Sequence, residues 1–360
     1  MLPVSLWERL EPLLSDVERP SRYLDHERNA YPSRAAAYHA ALLYPDIYDL
    51  GQSNQAIGIL YSLINELEGC AAERAFLPWV DLAALMRAEG LPLFTLEGSS
   101  PVASFDLLGI TLPHELAATN ILEALDLAGL PLHSANRGCE HPLVLGGGPG
   151  ALNPEPLAPF FDAFVIGEGE EVIVEVIAAH RAHLATGGGR EELFSALAAI
   201  DGLYLPSLYS TDGSSAPRPS HPLAPPTITR RVVADFDACP PVCDPPVPFA
   251  EVAHDRLAIE VLRGCSRGCR FCQAGMTYRP VRERRADTII SAVACGLAAT
   301  GFDEVSLTSL STTDHSQIEQ ILRRLGSLLE GTGTGLSIPS QRLDAFGVRM
   351  AQLVATERKA

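Results

Sequence analysis

Apolar runs of strand length alternate with segments of helical periodicity along most of this chain, and that alternation limits what it can fold into. A strand is expected at Ala40–Tyr44. QAIGILYSLINELEG follows it, with Ile57, Leu60, Ile64 and Leu67 on one helical face. AERAFLPW predicts a second strand, and VDLAALMRAEG a short helix stopped by Gly90. FDLLGIT (105–111) is a buried-type strand, and HELAATNILEALDLAG is a helix stopped by Gly129. HPLVLGGG and FDAFVIGEGEE supply two further strands. The pattern predicts an α/β fold with a doubly wound parallel sheet, whose ligands bind at the carboxyl ends of the strands.

Two stretches dense in proline, TDGSSAPRPSHPLAPP and ACPPVCDPPVP, then interrupt the pattern. Beyond them RLAIEVLRG, FDEVSLTSL and GLSIPS alternate with three helical segments, the last being RLDAFGVRMAQLVATER. Three βα units in a row are the opening of a β/α barrel. The expected organisation is a helical leader (1–35), an α/β domain (36–205), a Pro-rich linker (206–250) and a partial barrel (251–360). A complete barrel takes about 250 residues. The second unit is therefore expected to be a truncated or split core, with an unpaired strand edge near Leu336–Pro339.

Charge and cysteine usage narrow the partners. Basic residues number 27 against 44 acidic, a net charge of −17, which opposes general nucleic-acid binding. No apolar run reaches the roughly 18 residues of a membrane span. The start, MLPVSLWERLEPLLSD, reads as an amphipathic helix and lacks the basic and apolar regions of a signal peptide. Of 8 cysteines, three cluster, which fits a reducing cytosol with a metal site. Cys70, Cys139 and Cys295 stand singly and are read as packing residues.

RGCSRGCRFCQAG carries the densest chemistry. Cys265, Cys269 and Cys272 have C-x3-C-x2-C spacing, one ligand short of a closed metal site. Arg263, Arg267 and Arg270 lie among them, and their charge favours the ligating thiolate. A zinc knuckle completed by Cys239 or Cys243 is the alternative. The spacing, the aromatic Phe271 before the last cysteine, and the position after the first barrel strand resemble the radical S-adenosylmethionine (SAM) superfamily. That resemblance implies a [4Fe–4S] cluster on the three cysteines, with SAM on the fourth iron. It further implies adenine near Phe271, the SAM amino group near Ser309 and Ser311, and ribose or carboxylate near Ser340 and Arg342. The Gly-Gly-Glu run usual after the second strand is absent. Arg279, Arg282, Arg284 and Arg285 form a basic run, read as a solvated helix start or an anion contact.

Parts of the first domain resemble cobalamin-binding domains that precede such cores. DIYDLGQSN stands where that family's D-x-H-x-x-G signature would be, with Tyr48 in place of the cobalt-ligating histidine and Gly51 closing the motif. Thr111, ending LLGIT, resembles the residue beside the corrin. Gly146, Gly147 and Gly148 resemble the loop facing the nucleotide tail. Two outcomes are open: cobalamin bound without a protein histidine, or a fold that has lost the cofactor. GGGPGA also matches a dinucleotide fingerprint, but Pro149, Pro154, Pro156 and Pro159 prevent the helix such a site requires. The resemblance spans nearly the whole chain and implies a cytoplasmic radical SAM enzyme, with methyl transfer or rearrangement as its class of reaction. It implies a reductant such as flavodoxin or ferredoxin, and the short barrel leaves room for a C-terminal half supplied in trans. The alternative is a non-catalytic iron–sulfur module or one half of a split enzyme.

Overall fold

Strand β1 (Tyr38–Tyr44) buries Tyr38, Ala40, Ala41, Leu42 and Leu43, side chains of both its faces, as the middle of a covered parallel sheet requires. The computed structural model describes residues 5–352 apart from 212, 214, 215, 240, 343, 345, 346 and 348–350. The chain forms two units, Met1–His26 with Tyr31–Val233, and Glu27–Ala30 with Ala234–Ala360.

In the first unit β1 is joined by β2 (Cys70–Phe76), β3 (Leu107–Thr111), β4 (Leu143–Gly147), β5 (Ala163–Val165) and β6 (Leu203–Tyr204). Their order is β2-β1-β3-β4-β5-β6. β1 to β5 run parallel and β6 is antiparallel to β5. The helices are α1 (Gln55–Glu66), α2 (Val80–Glu89), α3 (Ala118–Leu127), α4 (Gly169–Thr186) and α5 (Arg190–Leu197). The Asn54 side chain caps α1 by accepting the Ile57 N–H at 3.1 Å, and Gly90 ends α2 at φ 61°. Ile57, Tyr61 and Ile64 of α1 pack with Val172 and Val176 of α4 in one core, while Ile121, Ala124 and Leu125 of α3 fill another. Two cores and the parallel sheet between them make the doubly wound α/β fold that the alternation predicts.

The leader is integral to this unit. Leu10, Leu14 and Val17 pack with Leu82 and Met86 of α2, and Arg22 pairs with Asp49 at 2.5 Å. Residues 206–233, the first part of the stretch read as linker, also lie in this unit, with Leu208, Ala224 and Val233 buried.

The second unit has β7 (Leu257–Glu260), β8 (Glu304–Thr308) and β9 (Gly335–Ser337), all parallel in the order β9-β8-β7. Helices α6 (Ala286–Thr300) and α7 (Ile318–Leu329) bury Ile289, Val293, Ile321, Leu322 and Leu325 against Leu257, Ile259, Val305 and Leu307. Among the described residues β9 stands at the sheet edge. The helix expected over 342–358 falls largely outside the described residues. No helix among them is long and apolar enough to cross a membrane.

Candidate cofactor site

After β7 the chain pairs Leu262–Arg263 antiparallel with Arg282–Glu283, which closes a loop over the three clustered cysteines. Gly264 turns the chain into this loop at φ 87°, and a Cβ there would lie 2.6 Å from the carbonyl oxygens of Tyr278 and Pro280. Arg279 braces the loop by donating to the Cys265 and Arg267 carbonyls, each at 3.2 Å. The Arg267 N–H donates to Cys265 Sγ at 3.4 Å, and the Gly275 N–H to Cys272 Sγ at 3.2 Å. Both bonds fix the direction in which the sulfurs point.

Among the described residues no three His, Cys, Asp or Glu side chains converge on one metal ion. Of the two cysteines offered as a fourth zinc ligand, Cys243 donates its thiol to the Pro241 carbonyl at 3.6 Å. Burial, together with the neighbouring Cys295 thiol, pushes the Cys243 thiol up to about 11. Three cysteines at C-x3-C-x2-C spacing match the donor set of a cluster with one iron left open.

The arginines need correction. Arg263 pairs with Glu260 at 2.7 Å and lies over the Phe236 ring, and Arg267 pairs with Asp314, so neither charge bears unshielded on the thiolates. Arg284 is no solvated residue. It is 2% exposed, stacks 4.0 Å from the Phe236 ring centre, and donates to the Phe236 and Glu260 carbonyls. Arg285 pairs with Asp237. Cys139 and Cys295 are exposed, so only Cys70 of the three single cysteines is buried.

The carboxyl ends of β8 and β9 bring the other expected residues together. Ser309 and Thr312 hydroxyls are 2.8 Å apart, and the Ser311 N–H donates to Ser309 Oγ at 3.1 Å. The Ser340 carbonyl accepts the Thr312 N–H at 2.9 Å. Ser311 donates to Asp314 at 2.8 Å and Arg342 donates to it at 3.0 Å. Phe271, on the cysteine loop, is 93% exposed. Asp314 is the residue that sequence reasoning missed. Its hydrogen bonds from Arg267 and Ser311 hold its carboxyl well below the usual range. The only signal was a TTD run directly after a strand.

In the first unit Tyr48 and Gly51 follow β1, Thr111 ends β3, and Gly146 and Gly147 end β4. The sheet order reverses between β1 and β3, so these positions stand at or next to the switch point where such sheets bind ligands. Their contacts are internal, however. Tyr48 is 2% exposed and packs edge-on against Phe76 at 5.3 Å. A Cβ on Gly51 would meet the Phe76 ring at 2.6 Å. Gly146 is packed by Phe164 and Leu112, and a Cβ on Gly148 would lie 3.2 Å from the Leu112 carbonyl oxygen. Nothing lies within 4 Å of a Cβ on Gly147. Position 48 therefore offers no cobalt ligand: it holds a core phenol, and no step through cobalamin follows from it.

Two family models match the chain. Residues 56–206 match radical SAM proteins, N-terminal, and residues 259–357 match the radical SAM superfamily. The chain belongs to the radical SAM superfamily. An uncharacterised protein of Methanocaldococcus jannaschii, MJ0966, is 23% identical over 86% of this chain and 56% of its own length. Two structures of the radical SAM methyltransferase TsrM from Kitasatospora setae share the fold. One, with tryptophan and a SAM analogue bound, aligns over 88% of this chain and 56% of that one, at 16% identity and TM-score 0.52. The other, with cobalamin and a [4Fe–4S] cluster bound, aligns over 88% and 58% at TM-score 0.51 and the same identity. The chain thus spans about half the length of the curated relative it matches.

Proposed function

We propose that this radical SAM protein is an enzyme that holds a [4Fe–4S] cluster on Cys265, Cys269 and Cys272 and cleaves SAM reductively. One observation carries the reading: three cysteines at the end of β7, two with backbone N–H groups on their sulfurs, in a loop whose entry only glycine can make. When bound, such a cluster would supply the single electron that converts SAM to methionine and a 5′-deoxyadenosyl radical. The chain's own residues do the positioning. Gly264 and Arg279 shape the loop, the Arg267 and Gly275 amides orient two of the sulfurs, and the serines after β8 and β9 offer hydroxyl and carbonyl groups beside it. The substrate is outside what these residues specify. Methyl transfer is the reaction named for TsrM, and we carry it here only as the class to test first.

Anaerobic reconstitution should load about four irons per chain. Cys265→Ala should abolish loading. Dithionite with SAM should then yield 5′-deoxyadenosine. Zinc without iron would overturn the cluster. A loaded protein that yields no 5′-deoxyadenosine would leave an iron–sulfur module and remove the enzyme. Cobalamin is tested separately by titration. With Tyr48 buried, a cobalamin-bound form would have no protein ligand from that position, and absence of any visible spectral change would mean the fold is kept without the cofactor.

A further inference from the structure

Asp314 receives donors from three segments that are far apart in sequence. Arg267, between the first two cysteines, donates from Nε at 2.9 Å and from its terminal nitrogen at 2.5 Å. Ser311, after β8, donates at 2.8 Å. Arg342, after β9, donates at 3.0 Å. The carboxylate therefore does two things at once. It ties the cysteine loop to the ends of the other two strands, and it neutralises the Arg267 guanidinium on that loop while sharing Arg342 with Asp344.

Arg267 is 45% exposed at its side chain, so water alone would leave the loop end free to move; the bidentate contact to a carboxylate that is 15% exposed restrains it. From this geometry we infer that Asp314 is a positioning residue for the cysteine loop, and that it screens the charge of Arg267 from whatever the three thiolates hold. The inference rests on the cluster reading for its second half only. The first half concerns the protein before any metal enters.

The test uses the full chain with Asp314→Asn, Asp314→Glu and the double variant Arg267→Gln/Asp314→Asn. In metal-free protein, amide hydrogen exchange over residues 263–277 is compared with that of β7. Asp314→Asn should speed exchange in the loop at least tenfold and leave β7 unchanged, and Asp314→Glu should recover most of the protection. An unchanged loop, or equal acceleration through β7, overturns the positioning role. In reconstituted protein, one electron from dithionite is titrated onto the cluster. Asp314→Asn removes the acid partner of Arg267, while Arg342 keeps Asp344, so one added cation favours the more negative reduced form and the midpoint potential should move positive. The double variant should move back toward wild type, because the freed cation is gone. A negative shift, or a double variant no different from Asp314→Asn, overturns the screening role. If wild type loads no iron, the function proposed above fails while the exchange result still decides the positioning role. If Asp314→Asn fails to fold, Ser311→Ala and Arg342→Gln each remove one donor and should give smaller accelerations; none in either overturns it.

Discussion

At residue 264 the side chain is decided by backbone geometry alone. Its φ of 87° is disfavoured for any residue with a Cβ, and the carbonyl oxygens facing that Cβ belong to main chain that the Leu262–Arg263 and Arg282–Glu283 pairing holds in place. Gly264→Ala should cost about 1–3 kcal/mol from the disfavoured backbone region, and the added contact should displace Cys265. Reconstituted Gly264→Ala should carry clearly less iron than wild type and unfold at lower urea concentration. Wild-type iron content would mean that the loop tolerates the shift. The cysteine spacing was legible because its three residues lie within one short loop, where sequence distance bounds spatial distance. Asp314 was not, because its partners Arg267 and Arg342 lie 47 and 28 residues away and meet it only once β7, β8 and β9 are aligned. The arginines misled for a related reason. A run of charge in sequence says nothing of the acids and aromatic rings, here Glu260, Asp237 and Phe236, that the fold sets against it.

At the scale of elements, alternation of apolar runs found the strands of the first sheet and the helices between them, because burial on both faces leaves few polar residues in a central strand. The strand that fits least well is β2, which carries Glu73 and Arg74 at 3% exposure each. Both are satisfied by residues that no local pattern connects to them. Glu73 accepts from Ser33 at 2.6 Å and Thr95 at 2.5 Å. Arg74 pairs with Glu97 at 2.7 Å, its guanidinium 4.9 Å from the Tyr61 ring centre. Burial pushes the Glu97 carboxyl up and Arg74 opposes that push. Removing one member leaves the other charged and dry, so Glu97→Ala should destabilise the first unit by about 3–5 kcal/mol. Adding Arg74→Leu to that variant should recover much of the loss. Urea denaturation of the two variants measures both, and a double variant as unstable as the single would show that the pair's charge is not the source. The barrel-like unit was legible up to β9 for a different reason: its strands alternate with α6 and α7, whose apolar residues pack against them.

At the scale of the whole molecule, the two units have separate apolar cores and different sensitivities. His180 of α4 is 5% exposed, bonded through Nδ1 to the Tyr38 hydroxyl at 2.8 Å. Burial is the main cause that pushes its imidazole down to about 4, with His183 and Arg190 adding to the push while Asp106 and Asp162 oppose it. The sign follows from proton uptake. Above about pH 6.5 both folded and unfolded chains carry a neutral imidazole, and it contributes no pH dependence. Below that the unfolded chain binds a proton that the folded one refuses, so stability falls with pH until the folded value near 4 is reached. The loss over that window is on the order of 3 kcal/mol for this one group. Both tryptophans, Trp7 and Trp79, belong to the first unit, so their fluorescence reports its unfolding and not that of the cysteine-bearing unit. The tryptophan transition should therefore shift to lower urea between pH 6.5 and 4. Replacing the pair together, as Tyr38→Phe/His180→Leu, should flatten that part of the pH dependence without leaving a buried hydroxyl unpaired. Iron loading stabilises only the state that binds it, so it should leave the tryptophan transition in place while raising the resistance of residues 257–338 to hydrogen exchange. A tryptophan transition as steep in pH for the double variant as for wild type would assign the acid sensitivity to other groups.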